Sequence, residues 1–205
     1  IVSFRGTQAT SWEDIKADIN VHKSKREYQP NNSGTGSVGK VHSGFRHALN
    51  DVWDNLLEDY KKNAQGKQLL VTGHSLGAAL ATLYTDRIND PKSVCYTFGS
   101  PRVGNKDLIS NMNFTCYRFR NNNDIVTRVP FEWLGFTHKS TELKYFNVDG
   151  IVRHGFDRWY LFFQWVKGTY RTLMRDKTWD AFADHSMGEY YNLCKQQLIE
   201  EKLDV

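Results

Sequence analysis

No apolar run in these 205 residues reaches the roughly 18–20 positions that a membrane-spanning helix needs, so no transmembrane span is expected. Cysteine is scarce: only Cys95, Cys116 and Cys194 occur. An odd number, without a Cys-x-x-Cys pair or a Cys/His cluster at ligand spacing, argues against a disulfide framework and against a zinc site. Cys95 and Cys116 sit in strand-like runs and are expected as buried thiols. An excess of one charge is missing too. Against 27 basic residues stand 23 acidic ones, and a net +4 so dispersed excludes nucleic acid as the expected partner. There is no signal-peptide pattern, yet the chain opens on Ile1 in the strand-like run IVSF, as a trimmed or processed product would.

What is present is an ordinary globular balance, 40% hydrophobic and 24% charged, and the length suits one compact domain over residues 1–205. Apolar runs alternate with helical patterns, the habit of an α/β fold with a mostly parallel sheet flanked by helices. Strands are expected at Ile1–Phe4, Leu69–Thr72, Val94–Phe98, Thr115–Phe119 and Leu143–Phe146. In Gly44–Lys62, Phe45, Leu49, Val52, Leu56 and Tyr60 recur at spacings of three and four and predict one helix. A second helix follows Ser75. A third is expected from Ser186, where Ser186 and Glu189 form a capping box. Gln29–Gly39 (QPNNSGTGSVG) reads as a loop. Gly155–Trp179 is crowded with aromatics among basic residues. It reads either as a helix packed on the sheet or as an amphipathic element that lines an acyl pocket or rests on a lipid surface through Phe162, Phe163 and Trp165.

The chemistry concentrates in Gln68–Leu83, QLLVTGHSLGAALATL. A strand runs into Gly73-His74-Ser75-Leu76-Gly77, and a small-residue helix follows. Such a sharp turn exposes the serine hydroxyl at the sheet edge, and a Cβ on either flanking glycine would clash with strand or helix. It also aims the Leu76 N–H and the positive helix end at one spot, where an oxyanion would sit. A bare GxSxG arises by chance in roughly one 200-residue chain in fifteen. The strand before it and the Ala-rich helix after it are therefore what give it weight.

A serine nucleophile needs a base, and the base needs an orienting carboxylate, in the chain order Ser, Asp or Glu, His. Asp124 follows a strand on a loop at its carboxyl end, the edge where α/β sheets gather sites. Position favours His185, at a loop-to-helix corner, and leaves His138 and His154 open. His74 precedes the nucleophile and is expected to support the turn, with Gly73 and Gly77. A second oxyanion donor is sought after the first strand, at Arg5-Gly6-Thr7.

Several segments, in order, carry a resemblance: Phe4-Arg5-Gly6-Thr7, Val41–Phe45, Gly73–Ala81, Thr97–Asn105, Asn123–Pro130 and Asp184-His185. Together they resemble the class 3 lipase family, the fungal triacylglycerol lipase-like group of the α/β-hydrolase superfamily. The resemblance implies Ser75, Asp124 and His185 as catalytic triad, with Thr7 and Leu76 as oxyanion donors. It implies that His138, in an HxSxE stretch, belongs to a structural strand. It implies a lid over Gln8–His22 bearing Trp12, and leans toward a secreted setting.

That segment, QATSWEDIKADINVH, is polar for a lid, with an apolar face of only Trp12, Ile15 and Ile19. A weakly interfacial esterase is one reading of it. The family usually has further strands and a helix ahead of the position of Ile1. The expected substrate is an acylglycerol or related lipid ester, met at a lipid–water interface, and no metal or organic cofactor is called for. A phospholipase or feruloyl-type esterase shares the chemistry; a lipid-binding module without turnover is the rival of another class.

Overall fold

The computed structural model describes residues 1–6, 23–25, 39–147, 149–153, 163, 166–167 and 183–203. Its centre is a six-stranded sheet in the order β1 (Val2–Phe4), β4 (Leu70–His74), β5 (Val94–Phe98), β6 (Thr115–Asn121), β7 (Glu142–Phe146), β8 (Val152–Arg153). Every pair is parallel except β7–β8. Two short strands, β2 (Lys23–Lys25) and β3 (Lys40–His42), pair antiparallel outside it.

Parallel strands need covered faces, and the helices supply the cover. Helix α3 (Leu76–Ile88) packs on β1, β4 and β5. Its buried residues include Gly77, Ala78, Ala79 and Ala81, whose small side chains let the helix axis approach the sheet closely. Thr82 and Thr85 are buried as well, and their hydroxyls donate to the Ala78 and Ala81 carbonyls, so neither is left unsatisfied. The core continues through Val71, Leu69, Cys95 and Cys116, both cysteines being buried free thiols opposite each other in the β5–β6 register.

The single helix expected over Gly44–Lys62 is two helices, α1 (Ser43–Asn50) and α2 (Trp53–Asn63). The break falls at Asp51-Val52, and Val52, counted on the apolar face, is exposed. Arg87 of α3 lies across the break. Its Nη1 donates to Asn50 Oδ1 at 2.6 Å at the end of α1, while its guanidinium lies 3.9 Å from the ring centre of Trp53, which opens α2. A pattern of spacings contains no information about a side chain arriving from another helix.

Helix α4 (Lys106–Ser110) is short, and α5 (Met187–Leu203) closes the described chain. Ser186 caps α5 through Oγ, which accepts from Gly188 N–H at 3.2 Å. No helix among the described residues is long and apolar enough to cross a membrane. Of the aromatic segment Gly155–Trp179 only Phe163, Val166 and Lys167 are described, and Phe163 is 65% exposed. The remainder, including Phe162 and Trp165, lies outside the described residues, as does Gln29–Val38 of the expected loop.

Candidate active site

The parallel strands β4, β5 and β6 all end at one edge, and the candidate residues lie just beyond those ends. Between β4 and α3 the backbone turns at Ser75 with φ 57° and ψ −128°, a conformation that costs an L-residue roughly 1–3 kcal/mol. Close packing enforces it. A Cβ on Gly73 would stand 2.3 Å from Gly77 O, and one on Gly77 would stand 2.2 Å from Phe4 O. The elbow is thus wedged between its own helix and the end of β1, and Ser75 N–H is tied to Phe98 O at 3.0 Å.

The strained turn delivers the hydroxyl. Ser75 Oγ lies 2.8 Å from His185 Nε2, and His185 Nδ1 lies 3.0 and 2.9 Å from Asp124 Oδ1 and Oδ2. With Nδ1–H donating to the carboxylate, Nε2 is the acceptor for the serine proton. Asp124 is wholly buried, which a carboxylate tolerates only with donors around it. Besides His185 it accepts from Val126 N–H at 2.9 Å and from the Tyr190 hydroxyl at 2.7 Å. Burial and the neighbouring carboxylate push the Tyr190 phenol well above its usual range, so it remains a donor.

Two loops must meet for this geometry, and Asp184 joins them. Its Oδ2 accepts from Asn123 N–H at 3.0 Å and Asn122 Nδ2 at 3.2 Å, and its carbonyl accepts from Asn121 Nδ2 at 3.0 Å. The residue before the histidine therefore fastens the loop that carries the aspartate. From the other side, His74 Nε2–H donates to His185 O at 2.7 Å, and the two imidazoles stack with centroids 4.6 Å apart. Burial, then the proximity of His185, lower the His74 pKa to about 4, so it is neutral near pH 7. Gly99, at φ +58°, completes the packing: a Cβ there would meet Asp124 Oδ2 at 2.8 Å and His185 Nδ1 at 2.9 Å.

Leu76 and Gly77 open α3, and their N–H groups donate to no described residue, whereas those of Ala78 and Ala79 reach Ser75 O. Gly6 lies against the elbow, since its Cβ would sit 2.5 Å from His74 O and 3.3 Å from Ser75 Cβ. Thr7, Trp12, Ile15 and Ile19 lie outside the described residues. His138 is away from this edge: its Nε2–H donates to Thr127 O at 2.8 Å, and burial first, then nearby arginines, hold it neutral. Sequence reasoning missed Gly99, Asp184 and Tyr190. Gly99 could have been suspected from its place immediately after β5; nothing around Tyr190 but its place in the expected last helix marks it.

The comparisons with known proteins bear on the same segments. The family model described as Lipase (class 3) matches residues 1–133, well over half of the chain. The chain belongs to the class 3 lipase family.

Among curated members, the secreted mono- and diacylglycerol lipase MDL3 of Malassezia globosa is 30% identical over 178 residues, 79% of this chain and 55% of that protein. The chloroplastic phospholipase A(1) DAD1 of Arabidopsis thaliana is 32% identical over 151 residues, 63% of this chain and 33% of that protein. This chain therefore spans between about a third and a little over half the length of these curated relatives. Among solved structures, a lipase from Rhizopus microsporus var. chinensis superposes with a TM-score of 0.55 at 28% identity, over 69% of this chain and 50% of that one. The α/β-hydrolase fold with its mostly parallel sheet is common to both.

Proposed function

We propose that this class 3 lipase family member is a carboxylic ester hydrolase acting on acylglycerols through an acyl-enzyme on Ser75. The observation that carries the reading is the hydrogen-bonded line from Ser75 Oγ through His185 to Asp124, with both contacts under 3.1 Å. A serine near neutral pH attacks an ester only when a base takes its proton as the new bond forms. His185 Nε2 takes it, and Asp124 stabilises the imidazolium while remaining ionised.

The tetrahedral oxyanion forms beside the start of α3. The Leu76 N–H, having no partner among the described residues, supports its role as one donor. Thr7 is proposed as the other, because Gly6 already lies against Ser75 and the next amide is the nearest further donor along the chain. Each such donor is worth about 3–4 kcal/mol of transition-state stabilisation. His185 then returns its proton to the leaving alcohol, and a water activated by the same imidazole releases the acid. Trp12, Ile15 and Ile19 are proposed as the apolar side of a lid over the site.

Acylglycerols are favoured as substrates by the activity for which the fungal relatives are named, mono- and diacylglycerol hydrolysis. A phospholipase A(1) relative makes glycerophospholipids the second reading. Hydrolysis of dioctanoylglycerol and of dioctanoylphosphatidylcholine, each below and above its critical concentration, separates the two. Faster turnover of the diacylglycerol supports the first reading, and faster turnover of the phospholipid replaces it with the second. A rate jump above the critical concentration marks interfacial action, and its absence marks an esterase of soluble substrates.

A further inference from the structure

Behind the Asp124 loop lies a group of positive charges for which the ester chemistry has no use. Strand β6 places Arg118 and Arg120 on one face, two residues apart. Arg102 joins them from the segment after β5: its Nη1 donates to Arg128 O and, at 3.1 Å, to Pro130 O, so it lies against the loop that carries Arg128. Charge repulsion from both Arg120 and Arg102 is felt at Arg118 and at Arg128.

These guanidinium groups are under-satisfied. Arg118 is 7% exposed and makes no hydrogen bond or ion pair with any described residue. The Nε atoms of Arg102, Arg118, Arg120 and Arg128 are all buried without a partner. The terminal hydrogen bonds of Arg120 and Arg128 are long ones to neutral oxygens, Asn122 O and Asn123 Oδ1, both at 3.5 Å, and the Arg120 guanidinium also lies over the Tyr145 ring, 5.4 Å from its centroid. Among the described residues one carboxylate pairs with the group, Glu132 with Arg102 at 3.2 Å, and it is largely in solvent. Asp124 is close to Arg128, but its oxygens are engaged by His185, Val126 and Tyr190. His138, buried among the arginines, is held neutral and adds no counter-charge. Burial and the other guanidiniums bring Arg118 down to about 10, which still leaves it a cation at neutral pH. A buried cation without a counter-ion is costly, and a chain that keeps one has reason to bind an anion there.

We propose that Arg102, Arg118, Arg120 and Arg128 form a binding site for a phosphate-class oxyanion behind the Asp124 loop. Planar guanidinium forks match the oxygens of a tetrahedral anion in pairs, which a spherical halide cannot reproduce. Arg102, Arg120 and Arg128 are partly buried, and Arg118 is the most buried of the four. Free inorganic phosphate and the phosphodiester of a lipid headgroup share this chemistry. The inference does not depend on Ser75 being a nucleophile.

The test is thermal unfolding in a zwitterionic buffer at constant ionic strength, titrated with sodium phosphate against sodium chloride. The Tm is expected to rise saturably by several degrees with millimolar phosphate and not with chloride. Arg118→Met is expected to melt at least as high as wild type without phosphate, and to lose the phosphate-dependent rise. Arg102→Gln, which shortens one ligand and removes its charge, is expected to need several-fold more phosphate for the same rise and stands in if Arg118→Met fails to fold. Glycerophosphocholine in place of phosphate identifies the source: a rise with the diester points to a headgroup, and a rise with phosphate alone to the free ion. No saturable rise with either ligand, or a rise of equal size and midpoint in wild type and Arg102→Gln, overturns the proposal.

Discussion

The Tyr190 hydroxyl donates to Asp124 Oδ2 at 2.7 Å while accepting from Asn121 N–H at 2.9 Å, which makes one phenol the link between α5, β6 and the buried carboxylate. Removing it leaves an anion short of one donor and a buried N–H without an acceptor. Tyr190→Phe is expected to lower stability by about 1–3 kcal/mol in urea unfolding. It is also expected to lower kcat roughly tenfold or more with KM little changed, because the imidazolium's counter-charge is less firmly held.

Gly99 is the tightest steric constraint on the His–Asp pair. A methyl group there would intrude to 2.8 Å from Asp124 Oδ2 at a backbone φ of +58°. Gly99→Ala is expected to displace the imidazole and cost roughly 100-fold in kcat, the scale on which a misplacement of about 1 Å is felt. Steady-state kinetics and the Tm of the same preparation separate this from global unfolding.

His74 makes the fold sensitive to acid. Its folded pKa, about 4, lies below the ordinary imidazole value of about 6.5, so protons bind the unfolded chain more tightly. The stability it contributes is fully present above pH 6.5 and is lost as pH falls toward 4, by on the order of 3 kcal/mol. Buried His138 shifts in the same direction and carries the loss lower still. The Tm is expected to fall across this window, and His74→Gln, which retains a donor for His185 O, is expected to fall less steeply. Equal slopes in both proteins would contradict the assignment.

The strain at Ser75 has its own signature. Glycine accepts φ 57° without a Cβ penalty, whereas alanine keeps it. Ser75→Gly is expected to unfold at higher temperature than Ser75→Ala, by about 1 kcal/mol of stability, although both lack the hydroxyl. Matched calorimetric scans decide it.

How much of this was legible beforehand depends on the reach of the cause. Strand β5 has the limits that its short apolar run suggests, and the elbow glycines could be read because their constraint is local: each meets atoms within a few residues or on the strand next to it. The break at Asp51-Val52 interrupts a run of apolar spacings that continues across it, and the Arg87 contact with Asn50 comes from 37 residues away. Tyr190 and Asp184 were hidden by distance. Their partners at Asn121–Asp124 lie more than 60 residues away, and nothing in a Tyr or an Asp discloses which loop it will meet. The buried arginines escaped notice because on an alternating strand such as Tyr117-Arg118-Phe119-Arg120 a charged residue is expected to face solvent.

The central claim is that Ser75 is the nucleophile, activated by His185. Its most direct test is incubation with a fluorophosphonate followed by intact-mass and peptide mass spectrometry, on wild type, Ser75→Ala and His185→Ala. One stoichiometric adduct is expected on the Ser75 peptide of the wild type, none in Ser75→Ala, and labelling slowed by at least roughly a thousandfold in His185→Ala. An adduct on another residue, or wild-type protein that remains unlabelled while properly folded, would contradict it.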